Sequence, residues 1–260
     1  MSRYFDGVND SVVYGGQGSD EVAFSAGCWV YLSETAGSGV GRALVSRHDG
    51  GNLNGWGFLV QYSGLARIAR LRAVVRGSAA TQTRTQANWT LPFDRWHHVA
   101  FTWEDEDASG FKFYVNGLLS STDTSVGGGS ANDSGLPYVI GNQSDNTSDF
   151  FGILAHVQVW SSLTISQQQV AQSGYLPGSI SRQLVLYAPL WGYSNPEPNY
   201  TRFRLNPEGT VAGTVYSNSH PPISHVFATD RPRLEYSVLA AAAAVDSVAS
   251  DAQSYASAYF

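Results

Sequence analysis

The sequence is poor in charge, in cysteine and in long apolar runs, and each shortage excludes a class of protein. Charged residues make up 14% of the 260 positions, whereas an average soluble domain has about 25%. The formal net charge of -6 argues against a nucleic-acid partner, because such a partner requires a basic surface. Cys28 is the only cysteine, so no intrachain disulfide can form, and its apolar surroundings predict a buried structural thiol.

No apolar run in the chain suggests a membrane segment. A membrane-spanning helix requires about 18 or more consecutive apolar residues, and no such run occurs, so we expect no membrane insertion. The N-terminal stretch MSRYFDGVND has no apolar core of the kind that secretion signals carry. The sequence therefore predicts synthesis in the cytoplasm without export by a signal peptide.

Most of the chain alternates apolar and polar residues with a period of two, and turn residues interrupt this alternation. The chain has 27 glycines and 13% aromatic residues, which indicate many turns and a sizeable core. Short strands separated by Gly-, Asn- and Asp-rich turns are typical of a sandwich or jelly roll. The sequence therefore predicts an all-β, antiparallel jelly-roll sandwich. The predicted strands are SVVY, GCWVYL, RALVSRH, WGFLVQY, RLRAVVRG, WHHVAFTW, FKFYVNG, PYVIGN and LAHVQVW.

One short helix is predicted after these strands, in LTISQQQVAQSG. Thr164 with Gln167 and Ser166 with Gln169 both have the spacing of a capping box, so either register is open. Gly174 is the predicted stop of the helix. Strand character returns in LVLYAPLWG, and the Pro- and Asn-rich stretch from YSNPEPNYT to HPPISH is predicted to be mostly loop.

The end of the chain has a different composition, rich in alanine and without glycine or proline in LEYSVLAAAAAVDSVASDAQSYASAYF. Its apolar positions step by three and four residues, which is the spacing of a coiled-coil seam. We divide the chain into a jelly-roll domain over 1–230, with its core in 4–175 and an extension in 176–230, and an arm over 231–260 for docking or oligomerisation. The alternatives are a helix packed on the sandwich or a flexible tail. The seam residues are Val238, Ala241, Val245, Val248, Ala252, Tyr255 and Tyr259.

The segment FDRWHHVAFTW places two adjacent histidines among aromatic residues. In a strand, successive side chains point to opposite faces, so His97 and His98 cannot bind one metal ion together. The other histidines show no pairing in the sequence. We interpret the segment as a central strand of the sandwich and not as a metal or catalytic site.

Arginines and aromatic residues form two candidate ligand surfaces. The last three arginines of ARIARLRAVVR share one face of a predicted strand, and they form either a polar outer face or a patch for an anionic glycan or acidic partner. The aromatic residues of WGFLVQY either stack on sugar rings or belong to the core. The residues concerned are Arg70, Arg72 and Arg76 for the first surface, and Trp56, Phe58 and Tyr62 for the second.

An oxygen-rich turn in YFDGVNDSVVY is a candidate calcium site. Asp6, Asn9 and Asp10 lie close together there, and NQSDNTSD offers further oxygen ligands. A full calcium site requires about 6–8 oxygen ligands, and the turn alone does not supply them. The structural alternative is a pair of Asx-rich turns.

The segments YFDGVNDSVVY, FSAGCWVYL, WTLPFDRWHHVAFTWE, FKFYVNGLL, YVIGN and FFGILAHVQVWSSLTISQQQVAQ occur in a recognisable order over residues 4–175. In this order they resemble a laminin-G-like, concanavalin A-like jelly-roll domain. LVLYAPLWG with GTVAGT resembles a strand motif of such domains, which implies a strand supplied from the C-terminal side or an extension packed on the sandwich. The stretch from PLWGYSNPEPNY to HPPI is also similar to domains of this family in bacteriophage proteins.

The resemblance implies a fold that lectins, adhesion modules and glycan hydrolases share, so it does not imply one function. Jelly-roll glucanases carry their carboxylates as Glu-x-Asp-x-Glu, or with one extra residue before the last glutamate. Starting from Glu104, this sequence has Glu106 in the middle position and then Ala108 or Ser109 in the last. The run WEDED is therefore predicted to be a solvated turn, and we expect no enzyme.

The combined features favour a non-enzymatic virion structural protein: a phage capsid decoration, head fibre or tail-associated protein, located in the virion. The sandwich would project outward, and the arm would attach to other virion proteins or to copies of itself in a homo-oligomer. The alternative is a carbohydrate-binding or adhesion module for host surface glycans, with calcium as a possible cofactor. No cofactor is required, and we expect neither nucleic-acid binding nor membrane insertion.

Overall fold

The computed structural model describes residues 1–16, 18, 20–33, 41–49, 54–63, 67–77, 80–125, 129–145, 147–201 and 208–223. The chain from Met1 to Pro222 forms one compact unit. The arm predicted over 231–260 lies outside the described residues, so docking or oligomerisation through it stays a prediction. The seam residues outside the description are Val238, Ala241, Val245, Val248, Ala252, Tyr255 and Tyr259.

The described residues form seventeen strands and one helix. β-Branched and aromatic residues are frequent in the strands, because their side chains pack well on a pleated surface. The helix, α1, spans Gln167–Tyr175. In chain order the strands are β1 (Ser2–Asp6), β2 (Ser11–Tyr14), β3 (Ala23–Leu32), β4 (Gly41–His48), β5 (Gly55–Tyr62), β6 (Ile68–Arg76), β7 (Thr81–Thr85), β8 (Leu91–Pro92), β9 (Trp96–Glu104), β10 (Phe111–Val115), β11 (Leu118–Asp123), β12 (Tyr138–Ile140), β13 (Phe151–Ser161), β14 (Leu184–Ala188), β15 (Glu197–Pro198), β16 (Glu208–Ala212) and β17 (Val215–Ser217).

The strands form two sheets with antiparallel pairing. The first sheet has the order β11-β10-β9-β3-β13-β1-β17, with β14 also paired to β13. The second sheet has the order β15-β16-β2-β12-β4-β5-β6-β7, with β8 also paired to β6. This arrangement confirms the predicted all-β antiparallel sandwich, and each predicted strand segment contributes to a strand.

Aromatic rings fill the space between the two sheets. Phe24 of β3 stacks on Trp56 of β5 with ring centroids 4.6 Å apart, and Phe58 of β5 lies 4.9 Å from Phe101 of β9. These rings are buried, and Cys28 is buried in the same cluster, as predicted. Each large aromatic side chain buries on the order of 150–250 Å². The inner faces of both sheets are therefore committed to packing.

The helix α1 packs on the outer face of the first sheet. Ser166 is its N-cap: Ser166 Oγ accepts from Gln169 N, and Gln169 Oε1 accepts from Ser166 N, which closes a capping box. The prediction that Gly174 ends the helix is wrong, because the helix continues to Tyr175. Gly174 lies against the His98 ring, where an added Cβ would come within 2.9 Å of it. Among the described residues no helix is long and apolar enough to cross a membrane.

The segment predicted to be mostly loop supplies strands to both sheets. β16 pairs with β2, where Gly209 lies opposite Tyr14. β17 pairs with β1, where Ser217 lies opposite Ser2. Most of the other described residues of this segment are loop, as predicted, and the strand expected from the C-terminal side is present. Such short strands gain their stability from a distant partner, and the local pattern does not reveal that partner.

Arg47 and Asp133 form an ion pair inside the sandwich. Arg47 Nη1 lies 2.8 Å from Asp133 Oδ2, and both side chains are buried. The same oxygen accepts from Trp56 Nε1 at 3.0 Å, and Asp133 Oδ1 accepts from Glu21 N at 3.0 Å. Asp133 therefore ties the loop before β12 to β4, to β5 and to the segment before β3.

Replacing Asp133 by asparagine should lower the free energy of unfolding by about 3 kcal/mol, because Arg47 would lose its closest buried counter-ion. The matched control is Asp94→Asn in the exposed pair of Asp94 and Arg67, whose N–O distance is 2.6 Å. The expected loss in the control is below about 1 kcal/mol. Urea denaturation followed by tryptophan fluorescence measures both variants, and equal losses would contradict the prediction.

Candidate functional site

The two adjacent histidines of β9 have separate environments on opposite faces of the strand, as predicted. His97 Nε2 lies 2.9 Å from the Pro92 carbonyl oxygen. The His98 ring lies 5.5 Å from the Trp29 ring on the side of the sheet that α1 covers. In the described part of the chain, no group of three or more His, Cys, Asp or Glu side chains is placed to hold a metal ion.

The acidic run after Trp103 forms the hairpin connection between β9 and β10, so the predicted solvated turn is confirmed. Glu104 and Glu106 are exposed, and Glu106 has a φ of 58°, which is found in tight turns. Asp107 holds the turn together, because its carbonyl oxygen accepts from Gly110 N at 2.9 Å. The side chain of Asp107 also holds the turn, because its Oδ1 accepts from Ser109 N at 2.6 Å.

The turn between β1 and β2 carries Asp6, Asn9 and Asp10, the predicted calcium ligands. Asp10 Oδ2 accepts from Asp6 N at 2.7 Å, and Asp149 Oδ1 accepts from Asn9 N at 2.9 Å and from Asn142 Nδ2 at 2.5 Å. Burial, together with the nearby Asp6 carboxylate, raises the pKa of Asp10. These oxygens bond to protein N–H groups, as in an Asx-rich turn, and calcium binding here stays a prediction.

The aromatic residues predicted to stack on a sugar belong to the core. Trp56, Phe58 and Tyr62 of β5 are buried between the sheets. Residues two and four positions apart share one face of a strand, so these three side chains are buried together. The ligand-binding prediction is therefore wrong for them, because no ring face is open to a sugar.

The arginines of β6 share the outer face of the second sheet, and the residues between them are largely buried, as predicted. Arg70 Nε donates to Gln61 Oε1 at 3.1 Å, and its guanidinium lies 4.5 Å from the centroid of the exposed Trp89 ring. Arg72 Nε is buried and has no hydrogen-bond partner among the described residues. This outer face is therefore cationic, with one indole beside it.

Exposed aromatic residues cluster beside β17 and were not predicted. Tyr193 and Tyr216 stack with ring centroids 4.7 Å apart, and Trp191 and Tyr200 lie 5.1 Å apart. All four residues are exposed, and we call them the aromatic platform. The aromatic content of PLWGYSNPEPNY was the available sequence signal, but the folding of the C-terminal segment brings the rings together.

Buried polar contacts hold the aromatic platform in place. Trp191 N donates to Glu197 Oε1 at 3.2 Å, and Glu197 Oε2 forms a buried ion pair with Arg3 of β1 at 2.7 Å. Gly192 has a φ of 81°, and an added Cβ there would come within 3.0 Å of Tyr216 Cα. The loop therefore lies close against the first sheet, and the platform is already formed before any ligand binds.

A cavity of about 360 Å³ lies between α1 and the outer face of the first sheet, and we call it the α1 cavity. Trp29 of β3 and Trp96 and His98 of β9 line it, together with Asn116 of the β10–β11 turn and Tyr175 of α1. Sequence reasoning missed this site. Trp96 and His98 do share one face of β9 in the two-residue alternation, but the position of α1 over that face is not visible in the sequence.

The family model of the concanavalin A-like lectin/glucanases superfamily matches residues 6–171 of the chain. The chain belongs to this superfamily. The laminin-G-like, concanavalin A-like resemblance is thereby confirmed. In this concanavalin A-like domain the match includes most of the α1 cavity but none of the aromatic platform, which comes from the segment beyond it.

Comparisons with individual proteins agree with the superfamily assignment. The chain is 27% identical over 150 residues to sushi, von Willebrand factor type A, EGF and pentraxin domain-containing protein 1 of Rattus norvegicus. That match covers 55% of this chain and 4% of the rat protein, so it concerns one small part of a much longer relative.

Two solved structures show a similar fold. The heptameric SAP-like pentraxin of Limulus polyphemus has a TM-score of 0.59 at 14% identity, over 84% of this chain and 95% of the pentraxin chain. A putative carbohydrate binding protein of Bacteroides ovatus has a TM-score of 0.61 at 20% identity, over 86% of this chain and 61% of that chain. At these identities the likeness shows the concanavalin A-like fold alone.

The concanavalin A-like domain should lose stability as the pH falls from 6.5 towards 4, because burial lowers the pKa of His98 from 6.5 to about 4. Above pH 6.5 the imidazole is neutral in both states, whereas below it the unfolded chain binds a proton that the folded chain does not. The loss from His98 reaches about 3 kcal/mol. Urea denaturation at several pH values measures it, and His98→Phe should flatten the slope. An unchanged slope in His98→Phe would contradict the assignment.

Proposed function

We propose that the chain is a non-catalytic module that binds carbohydrate through the aromatic platform. This proposal rests on the exposed aromatic rings that contact one another on a loop held by buried polar bonds. Tyr193 is 66% exposed, although it stacks on Tyr216. Exposed aromatic patches of this kind mark binding surfaces, because leaving such rings in water has an energetic cost unless a ligand covers them.

The platform combines ring faces with hydrogen-bonding groups, as a sugar ligand requires. Sugar rings have apolar C–H faces that stack on aromatic rings, and their hydroxyl groups bond at the edges. Tyr193 Oη donates to Tyr216 Oη at 3.1 Å, and Tyr216 Oη donates to Asn218 Oδ1 at 2.7 Å. This chain of polar atoms follows the edge of the stacked pair. A sugar that stacks on the rings therefore meets hydroxyl and amide groups within reach of its own hydroxyls.

Tyr193→Ala should weaken binding of the preferred glycan by about tenfold, because it removes a central aromatic contact. A glycan array with the full chain, with and without calcium, identifies the glycan, and isothermal titration calorimetry measures its affinity. The matched control is Leu118→Ala, because Leu118 is also 66% exposed but lies in the β10–β11 hairpin. If no glycan binds in either calcium condition, or if Tyr193→Ala binds as tightly as the control, the proposal fails.

The spacing of the arm supports a second proposal, a virion structural role in which the arm attaches the module. The seam from Val238 to Tyr259 keeps a three-four spacing, and such a seam is stable in water only when a partner covers it. The partner in this proposal is a copy of the chain or another virion protein. The attachment role and the carbohydrate-binding role are compatible, since they use different parts of the chain.

Val245→Asp together with Val248→Asp should convert an oligomeric protein into a monomer, because both charges fall within the predicted seam. The matched control carries Ser247→Asp and Ser250→Asp, which add the same charge at positions between the seam residues. Multi-angle light scattering of the full chain measures the mass of each variant. A monomeric unsubstituted chain, or a seam variant with the mass of the control, would contradict the oligomeric arm.

A further inference from the structure

We propose that the α1 cavity is a second ligand site, which takes one neutral sugar ring. The inference rests on the proposed function only in taking carbohydrate as the ligand, since the cavity and the aromatic platform share no residue. Trp29, Trp96 and His98 form its walls, and the exposed residues Asn116 and Tyr175 lie at its border. The cavity is therefore a concave site with aromatic walls and one buried polar group.

His98 lines this site, and its ring holds a buried polar atom that is closed to water in the structure. The residue is 2% exposed, and its Nε2 has no hydrogen-bond partner among the described residues. The backbone of His98 is already bonded, because His98 N donates to Asn116 Oδ1 at 3.0 Å and His98 O accepts from Asn116 N at 2.7 Å. A buried polar atom without a partner is unfavourable. In the proposed complex a small turn of the His98 ring towards the cavity gives Nε2 a ligand hydroxyl as its partner. A neutral imidazole can donate or accept that bond, according to its tautomer.

The two indoles form the apolar wall of the cavity, Trp96 as a half-buried ring and Trp29 as a buried one, and their N–H groups already have partners. Trp29 Nε1 donates to Gly174 O at 2.8 Å, and Trp96 Nε1 donates to Ser219 Oγ at 3.1 Å. Aromatic faces beside one or two polar atoms suit a sugar ring, whose C–H face stacks while a hydroxyl bonds.

The size and the charge of the cavity narrow the class of ligand. Its volume of about 360 Å³ lies at the lower end of the range of about 300–1,000 Å³ for ligand pockets, which favours one ring over a longer glycan. Among the described residues that line it, none carries an acidic or a basic side chain that is charged at neutral pH. A sugar with a carboxylate or sulfate would be buried without a counter-ion, so a neutral sugar fits better.

Two glycines keep the helix close to the sheet and the cavity in shape. Gly117 has a φ of 79° in the Asn-Gly turn between β10 and β11, and an added Cβ would come within 2.8 Å of Ala171 in α1. Gly174 of α1 lies against the ring of His98, where an added Cβ would come within 2.9 Å of the ring. The walls are therefore formed before binding, which reduces the entropic cost of taking up a ligand.

The test is a titration of the full chain with methyl glycosides of glucose, galactose, mannose and N-acetylglucosamine, followed by the NMR signals of the His98 ring. We expect at least one glycoside to shift these signals in a saturable manner. His98→Phe, followed through the tryptophan indole signals, and Tyr175→Ala should each weaken the binding by about five- to tenfold. The matched control, Trp89→Ala, changes an exposed indole on the other sheet and should leave the binding unchanged.

The same titration separates the failure of this inference from that of the proposed function. Tyr193→Ala in the aromatic platform should leave the His98 titration unchanged. The inference is overturned if no glycoside shifts the His98 signals. Free indole serves as an apolar aromatic probe, and a shift by indole alone would mean that the cavity takes an aromatic ligand and not a sugar. A glycan-array signal that Tyr193→Ala abolishes, without any His98 shift, would leave the proposed function intact and remove the cavity site. If His98→Phe does not fold by circular dichroism, Tyr175→Ala decides, because Tyr175 is exposed.

Discussion

Stacked aromatic rings between the two sheets are the contact on which the rest of the structure depends. Phe24, Trp56, Phe58 and Phe101 join β3 and β9 of the first sheet to β5 of the second. Because strand side chains alternate, each of these strands has only its outer face left for other contacts. The two proposed ligand sites therefore lie where α1 covers an outer face and where a loop extends beyond an edge strand.

Two buried ion pairs connect the loops to this sandwich. Arg47 with Asp133 holds the loop before β12, and Arg3 with Glu197 holds the loop that carries Trp191. Buried pairs of this kind contribute little net stability compared with apolar side chains, because removing charges from water is costly. Their contribution here is positional, because each polar bond allows one placement of a loop that apolar contacts alone would leave open.

The sandwich, the strand positions and the opposite environments of the two β9 histidines could be predicted, because they follow from local alternation. Whether Trp56 faces the core or the solvent depends on the partner sheet, so the sequence left both alternatives open. Trp29 and Tyr175 meet at the α1 cavity only through the placement of the helix, which no local pattern reveals. The helix end at Gly174 was misjudged for a similar reason, since the neighbour that requires a glycine, His98, lies on a distant strand.

The strands β16 and β17 have a consequence for how the chain reaches its fold. Ser2 pairs with Ser217, and Tyr14 pairs with Gly209, so the earliest and latest described parts of the chain are neighbours. Contacts of such high contact order form slowly, because a long loop must close first. During synthesis, β1 and β2 expose unpaired edges until the late strands emerge from the ribosome, and such edges favour aggregation. β1 and β2 are therefore made long before the strands that cover these edges.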